Sequence, residues 1–143
     1  MSERAFLDTN VLVYAHDARD PLKREQAQQL ILRLLRERRG VVSVQVLQEF
    51  FAAATRKLEM PGDVAKRHVA SYARLDVITL AVPDVLAAID LHRLHGFSIW
   101  DALIVRAALN GSCATLYTED LQHGRLIDAL VVGNPFAAQG TPP

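Results

Sequence analysis

Four acidic residues stand out because their neighbours along the chain, or along one helical face, are mostly uncharged. Asp8 separates two apolar runs in ERAFLDTNVLVYA, and Asp120 follows the apolar segment that leads into LYTED. Glu49 shares its predicted helical face with small, apolar or uncharged residues, and Asp101 follows Trp100 in SIWDALIVRAAL. A buried carboxylate costs free energy unless it is paired with a cation or binds a metal ion. The four acids are therefore candidates for a functional site.

Each of these acids also has a purely structural explanation. Asp8 and Asp120 fit turn or helix-cap positions, which aspartate favours. Ser98 fits a helix N-cap, which makes Asp101 the third helical residue, where an acid also suits the helix dipole. Glu49 fits a solvated helix face. Taken one at a time, the acids leave both interpretations open.

Taken together, the acids predict chemistry that needs a metal ion. Carboxylates brought within a few ångströms of one another raise each other's pKa values and destabilise the fold. A divalent cation relieves that repulsion, and ligands that are all oxygen suit hard ions such as Mg²⁺ or Mn²⁺. Such an ion polarises a phosphodiester and helps to deprotonate an attacking water.

The elements that must position the acids alternate between short apolar strands and longer helices. Short apolar runs without a two-residue period indicate a parallel sheet that is covered on both faces. In such sheets, ligands bind beyond the carboxyl ends of the strands, which is where Asp8 and Asp120 lie. We expect strands over residues 4–8, 41–42, 77–82, 114–117 and 130–132, and helices that begin near residues 10, 21, 44, 63, 83 and 98.

The bulk composition bounds the class of protein. The chain has 143 residues, 50% of them hydrophobic, which indicates one domain with a sizeable core. Its 16 basic residues balance 16 acidic ones, which argues against nonspecific coating of nucleic acid but allows a local basic rim. Cys113 is the single cysteine, which excludes an intrachain disulfide and fits a reducing compartment. With no evident signal peptide or membrane segment, we expect a cytoplasmic protein.

Four segments of the chain together resemble the PIN-domain ribonucleases, and especially the VapC-like toxins of bacterial toxin–antitoxin pairs. They cover nearly the whole domain in the order and spacing of that family. The resemblance implies a three-layer α/β/α sandwich around a short parallel sheet, with one PIN-like domain over residues 1–138 and a flexible tail over 139–143. The segments are FLDTNVLVY (6–14), QEF (48–50), SIWDALIVRAA (98–108) and LYTEDLQHG (116–124).

The resemblance also implies a role for individual residues. The family's acidic residues, which bind the metal and carry out catalysis, match Asp8, Glu49, Asp101 and Asp120. The residues expected to support these acids are Thr9, Asn10, Ser98 and Thr118. The last motif departs from the family, because Gln122 and His123 follow Asp120 where many members carry an aromatic residue. Glu119, next to Asp120, is an alternative ligand.

The activity implied by the resemblance is hydrolysis of RNA phosphodiester bonds by an endoribonuclease that uses Mg²⁺ or Mn²⁺ and acts as a toxin. The implied partners are the RNA substrate, a cognate antitoxin and a second copy of the chain in a homodimer. The helices near residues 22–38 and 44–58 carry more apolar side chains than one core face needs, so we expect a partner surface there. The alternative is a catalytically weak PIN-like module that binds RNA or protein.

Other classes of site fit the sequence less well. A phosphoacceptor receiver domain needs a lysine late in the chain, and none follows Ala81. An aspartyl phosphatase needs a second aspartate where Asn10 stands. His92 and His95 share a helical face but lack further zinc ligands nearby in sequence. Two basic clusters, over residues 33–39 and 56–67, fit either solvated helix ends or contacts with an RNA backbone.

Overall fold

The computed structural model describes residues 3–137, so the tail predicted over 139–143 lies outside the described residues. Within the described range there are six strands and six helices, with a pair of helices between each of the first four strands and three consecutive strands at the end. In chain order they are β1 (Ala5–Leu7), α1 (Thr9–Tyr14), α2 (Pro21–Glu37), β2 (Gly40–Ser43), α3 (Val44–Lys57), α4 (Gly62–Tyr72), β3 (Asp76–Ile78), α5 (Val82–His95), α6 (Ile99–Asn110), β4 (Thr115–Tyr117), β5 (Leu126–Ile127) and β6 (Leu130–Gly133).

The strands form one sheet in the order β3-β2-β1-β4-β6-β5. All neighbouring strands are parallel except β5, which pairs antiparallel with β6 at the edge. With helices flanking the sheet, this is the predicted three-layer α/β/α sandwich. The sequence did not indicate β5, because two residues are too short for an apolar pattern. No helix within residues 3–137 is long and apolar enough to span a membrane.

The register of the central strands determines where their carboxyl ends lie. β1 sits between β2 and β4, with Phe6 opposite Val41 on one side and Leu116 on the other. All three residues of β1 are buried, which agrees with a strand covered on both faces. Because β1 and β4 are parallel neighbours, the segments that follow them emerge side by side at one edge of the sheet.

Local capping interactions fix where several helices begin. The hydroxyl of Ser43 accepts a hydrogen bond from the amide of Val46 at the start of α3 (3.2 Å). Asp20 caps α2 by accepting from the amide of Lys23 (3.1 Å), and Pro21 occupies the first turn, where its missing N–H costs nothing. These caps explain why the sequence predicted the helix starts to within a residue or two.

The third strand is shorter than predicted because its one neighbour in the sheet, β2, ends at Ser43, which pairs with Ile78 and caps α3. We expected a strand over 77–82, but β3 ends at Ile78. The carboxylate of Asp84 accepts from the amide of Ala81 (2.9 Å), which starts α5 at Val82. The same carboxylate also accepts from Arg106 of α6 (3.0 Å), so it ties the two helices together.

The central strand β4 should tolerate truncation poorly. Leu116 is completely buried, so Leu116→Ala removes apolar contacts and leaves a cavity that a short strand cannot close. We expect the free energy of unfolding to fall by about 2–5 kcal/mol in a urea titration. Leu126→Ala on β5 is the matched control, because Leu126 is 68% exposed, and it should change stability by less than about 0.5 kcal/mol. Equal losses in the two variants would contradict the described core.

Candidate metal centre

Three carboxylates from distant parts of the chain meet beyond the carboxyl edge of the sheet. Asp8 follows β1, Asp120 lies in the turn after β4, and Asp101 lies in the first turn of α6. One carboxylate oxygen of each lies within 4.8 Å of the others. Asp8 is buried, Asp101 is partly buried and Asp120 is exposed, so this acidic cluster opens from the interior toward solvent.

Asp8 is the buried member, and local hydrogen bonds fix its orientation. One carboxylate oxygen accepts from the amide of Thr9 (2.7 Å), which also caps α1, and the other accepts from the hydroxyl of Thr118 (2.8 Å). Burial raises the pKa of Asp8 to about 7; the two hydrogen bonds oppose this rise, and the charges of Asp120 and Glu49 add to it. The carboxylate therefore loses its proton near neutral pH only at a cost that a nearby cation would remove.

Asn10 connects the two strand ends. Its amide nitrogen donates to a carboxylate oxygen of Asp120 and to the hydroxyl of Thr118, both at 3.1 Å. Its carbonyl oxygen accepts from the amide of Glu119 at 3.3 Å. The contact from the Asn10 nitrogen to Asp8 is 3.5 Å, at the limit of a hydrogen bond. Asn10 therefore orients the turn that carries Asp120 more directly than it orients Asp8.

Thr118 and Thr9 each bind more than one group of the site. Thr118 is buried, and its hydroxyl donates to Asp8 while accepting from the amide of Asp120 at 3.1 Å. The amide of Thr9 donates to Asp8, and its hydroxyl donates to Glu49 at 2.9 Å. These short side chains hold the acids at set separations without contributing charge.

Glu49 lies beside the acidic cluster rather than within the group of three. It is partly buried on α3, and its carboxylate accepts from Thr9 and from the side-chain amide of Gln45 (3.4 Å). Its charge contributes to the raised pKa of both Asp8 and Asp101, which shows that it is close to them. A metal-binding or catalytic role for Glu49 remains a prediction.

Asp101 combines the two interpretations that the sequence left open. Its amide donates to the hydroxyl of Ser98 at 3.0 Å, so Ser98 is the N-cap of α6 and Asp101 is the third helical residue. The carboxylate nevertheless belongs to the acidic cluster. Its pKa is raised, mainly by burial and also by the charges of Asp120 and Glu49, and a hydrogen bond with the side chain of Ser98 opposes this rise. A cap position and a cluster position are thus compatible.

The structure distinguishes Asp120 from its neighbour Glu119. The carboxylate of Glu119 forms a salt bridge with the ammonium group of Lys23 (2.9 Å). Lys23 also donates to the hydroxyl of Tyr14 (3.3 Å) and lies over the rings of Tyr14 and Phe136. Glu119 is therefore engaged away from the acidic cluster, and Asp120 occupies the cluster position. Lys23 gave no signal in the sequence, because it meets Glu119 only through packing.

The acids of the cluster lack a cation of their own. The neighbouring acids Asp17 and Glu119 are neutralised by Arg19 and Lys23. Within the part of the chain that the structure describes, Asp8, Glu49, Asp101 and Asp120 form no salt bridge. The candidate ligand atoms are all carboxylate oxygens, and the most buried acid, Asp8, has a raised pKa. The site therefore fits a hard divalent cation such as Mg²⁺ or Mn²⁺.

The acidic cluster lies in a cleft of about 430 Å³ between α1, α3 and α6. Four residues of α3, each four positions from the next, form one helical stripe along this cleft; they are Gln45, Glu49, Ala53 and Lys57. Trp100, Arg19 and Tyr14 also line it. The cleft opens to solvent on the side of the exposed Asp120.

The two histidines considered as zinc ligands have structural contacts instead. His92 contacts the carbonyl oxygen of Phe97 through a ring nitrogen, and His95 stacks on the Phe97 ring with centroids 5.2 Å apart. Neither histidine joins a group of metal ligands within residues 3–137. Among the aromatic residues, Phe50 is fully buried, whereas Trp100 is 63% exposed.

Solved structures with the same architecture include several proteins of toxin–antitoxin systems. A toxin–antitoxin complex from Klebsiella pneumoniae superimposes with a TM-score of 0.67 at 17% identity, covering 94% of this chain and 99% of that chain. The sarcin–ricin loop cleaving toxin VapC20 of Mycobacterium tuberculosis gives 0.64 at 18% identity, covering 81% and 91%. VapBC2 from Rickettsia felis, bound to a promoter DNA fragment, gives 0.64 at 20% identity, covering 91% and 97%. At such low identities, the likeness establishes a shared fold.

The sequence provides the evidence for the family. No curated protein matches it closely enough to be recognised as a relative. The family model for the PIN domain, however, matches residues 5–128, a range that includes all four predicted acids. The match confirms the resemblance noted in the motifs, and this chain belongs to the PIN domain family.

Proposed function

We propose that this protein is a metal-dependent endoribonuclease that acts as the toxin of a toxin–antitoxin pair. The observation that supports the proposal most directly is the meeting of Asp8, Asp101 and Asp120 in an open cleft of a PIN domain. The three acids lie close together, lack a salt-bridge partner within residues 3–137 and line a cleft that opens to solvent at Asp120. That arrangement suits the hydrolysis of a phosphodiester held by a divalent cation.

In the proposed mechanism, Asp8, Asp101 and Asp120 would hold Mg²⁺ or Mn²⁺. When bound, the ion polarises the scissile phosphate and lowers the pKa of an attacking water. Asp8 anchors the site from the interior, while the exposed Asp120 faces the incoming strand. Glu49, held by Thr9 and Gln45, is placed to accept a hydrogen bond from a water in the cleft. Thr118 and Asn10 keep Asp8 and Asp120 at fixed positions.

The toxin role rests on the structural neighbours. They include toxin–antitoxin complexes, one of them bound to a promoter DNA fragment, and a toxin described as cleaving the sarcin–ricin loop. We therefore propose RNA as the substrate and a small antitoxin protein as a partner. The alternative is a PIN domain that binds RNA or protein without cutting, and an assay of RNA cleavage distinguishes the two.

The surface of the chain offers places for such partners. An apolar groove between α3 and α4 fits the apolar face of an antitoxin helix, and it is lined mainly by Val44, Leu47, Phe51 and Val69. The helix α5 exposes more apolar side chains than the sequence led us to expect, and we assign to this face the contact with a second copy of the chain. The exposed residues on α5 are Val82, Val85, Leu86, Ile89 and Leu94.

Replacing an acid of the cluster should remove activity without unfolding the protein. With Mg²⁺ present, we expect Asp101→Asn and Asp120→Asn each to lower the rate of RNA cleavage by about two orders of magnitude or more, because a lost ligand removes several kcal/mol of transition-state stabilisation. Gel-resolved cleavage of total RNA measures this effect. The matched control is Glu119→Gln, because Glu119 binds Lys23 rather than the cluster, and it should lower the rate far less.

Two outcomes would contradict the proposal. Cleavage at the wild-type rate by Asp101→Asn would exclude the acidic cluster as the active site. Full activity in excess chelator would exclude the metal. Mn²⁺ should replace Mg²⁺, whereas Zn²⁺ should activate poorly, because the cluster offers neither Cys nor His. If wild-type protein binds RNA but never cuts it, the binding-module alternative holds.

The apolar face of α5 should mediate self-association. At micromolar concentration, light scattering of the purified protein should report a dimer, and Leu86→Glu should shift it to monomer because a charge opposes apolar burial. Leu86 is 58% exposed, so the substitution leaves the core intact. The control is Phe51→Glu, in the groove between α3 and α4, which should leave the dimer intact while weakening the binding of an antitoxin peptide. A monomeric wild type would contradict the assignment of α5.

The stability of the metal-free protein should depend on pH through Asp8. Because its pKa rises to about 7 in the folded state, the folded protein holds this proton more tightly than the unfolded chain does, whose value is near 3.8. The stabilisation from that proton is complete below about pH 4 and is lost as pH rises through about 7. In chelator, the melting temperature of wild type should therefore fall relative to that of Asp8→Asn across this window.

Mg²⁺ should restore the stability that wild type loses as pH rises, adding about 2.7 kcal/mol to the free energy of unfolding at a hundredfold excess over the dissociation constant. The rise with Mg²⁺ should be much smaller for Asp8→Asn. Asp90→Asn, which removes an exposed acid on α5, should follow wild type in both conditions. Parallel pH curves for wild type and Asp8→Asn would show that Asp8 is only a helix cap.

A further inference from the structure

Trp100 is a large aromatic side chain that the fold leaves exposed at the edge of the acidic cleft. It lies in the first turn of α6, directly before Asp101, and 63% of its surface is accessible. The side-chain amide of Gln45 donates to its backbone carbonyl (3.3 Å), which fixes the first turn of α6 against the start of α3. Trp100 lines the acidic cleft and also an adjacent, mostly apolar cavity shared with Val44, Ile78 and Leu103, but not the groove between α3 and α4.

Lys57 marks the opposite end of the same cleft. Gln45 and Lys57 are the first and last residues of the stripe that α3 contributes, with Glu49 between them. Twelve residues of α-helix span about 18 Å, and Gln45 contacts the carbonyl of Trp100, so Lys57 lies at the end of the stripe away from Trp100 with Glu49 between them. A strand of nucleic acid that follows the stripe passes the acidic cluster between these two residues.

The charges of the cleft leave Lys57 available for a ligand. Arg19, the other cation that lines the cleft, uses two of its nitrogens on the carboxylate of Asp17 (2.9 and 3.0 Å). Lys57 is exposed and forms no salt bridge among residues 3–137. A cation near a cluster of acids helps an anionic polymer to approach, because it offsets their repulsion of phosphate.

We propose that Trp100 and Lys57 hold single-stranded RNA across the acidic cluster. An unpaired base stacks on Trp100, next to the phosphate that is cut, and a phosphate farther along the strand binds Lys57. Stacking on an aromatic ring requires a base that is free of its partner, so Trp100 selects unpaired nucleotides. The inference deepens the proposed ribonuclease function and rests on it for the identity of the ligand.

The chain contains one tryptophan, so its fluorescence reports directly on this residue. The full chain carrying Asp8→Asn, which binds without efficient cutting, is titrated with a short oligoadenylate. A ribose-phosphate oligomer of equal length without bases and a fully paired duplex are titrated in parallel. We expect strong quenching by the oligoadenylate, little by the abasic oligomer, and weaker binding of the duplex.

Substitutions then separate stacking from charge. In the same background, Trp100→Ala should weaken binding of the oligoadenylate about five- to hundredfold, whereas Trp100→Phe should retain most of the affinity. Phe51→Ala, an exposed aromatic residue of α3 outside the cleft, should leave the affinity unchanged. Lys57→Ala should weaken binding and reduce the slope of log affinity against log salt by about 0.7, while the adjacent Arg56→Ala should do neither.

The outcomes distinguish this inference from the proposed function. If wild type cuts RNA with Mg²⁺ but Trp100 is not quenched and Trp100→Ala binds normally, the inference is wrong and the nuclease assignment stands. If Trp100→Ala keeps its RNA affinity but loses self-association, the residue belongs to a protein interface, which also overturns the inference. Quenching by the oligoadenylate without cleavage by wild type would support Trp100 as a stacking residue and contradict the nuclease.

Discussion

The burial of the Asp8 carboxylate at the end of the central strand is the constraint on which the site depends. β1 is covered on both faces and lies between two parallel neighbours, so the residue that follows it cannot turn freely into water. The carboxylate is stabilised by two hydrogen bonds, one from the amide of Thr9 at the start of α1 and one from the hydroxyl of Thr118. Burial still leaves its pKa near 7, which is the cost that a bound cation would offset.

The residues around Asp8 determine both the positions of the acids and which of the acids have a basic partner. Thr9 binds Asp8 and Glu49, and Thr118 binds Asp8 and the turn that carries Asp120. Two further acids of the cleft, Asp17 and Glu119, each have a basic partner within reach. Among the acids that line the cleft, only Asp8, Glu49, Asp101 and Asp120 lack a basic partner within residues 3–137, and an external cation would neutralise them.

Different surfaces of the chain suit different ligands. The cleft combines acids, one free cation among its described lining residues and an exposed tryptophan, which is the composition expected of a site for a nucleic-acid strand. The groove between α3 and α4 is almost wholly apolar, as protein interfaces are at their centres, and the outer face of α5 exposes several large apolar side chains beside Asp90 and Arg93. The groove and the cleft share no lining residue, and no residue of α5 lines the cleft, so a partner bound to either apolar surface would leave the cleft lining free.

Much of the fold and part of the site could be predicted from the sequence because their signals are local. Short apolar runs indicated the parallel sheet, and residues such as Ser98 and Asp20 marked helix starts. The motifs around Asp8 and Asp101 pointed to an acidic site. Tertiary structure alone decided that Asp120 joins the cluster while Glu119 binds Lys23, that α5 is exposed, and that Trp100 faces the cleft. These outcomes depend on which elements pack together, since Lys23 and Glu119 lie 96 residues apart and no local pattern encodes their contact.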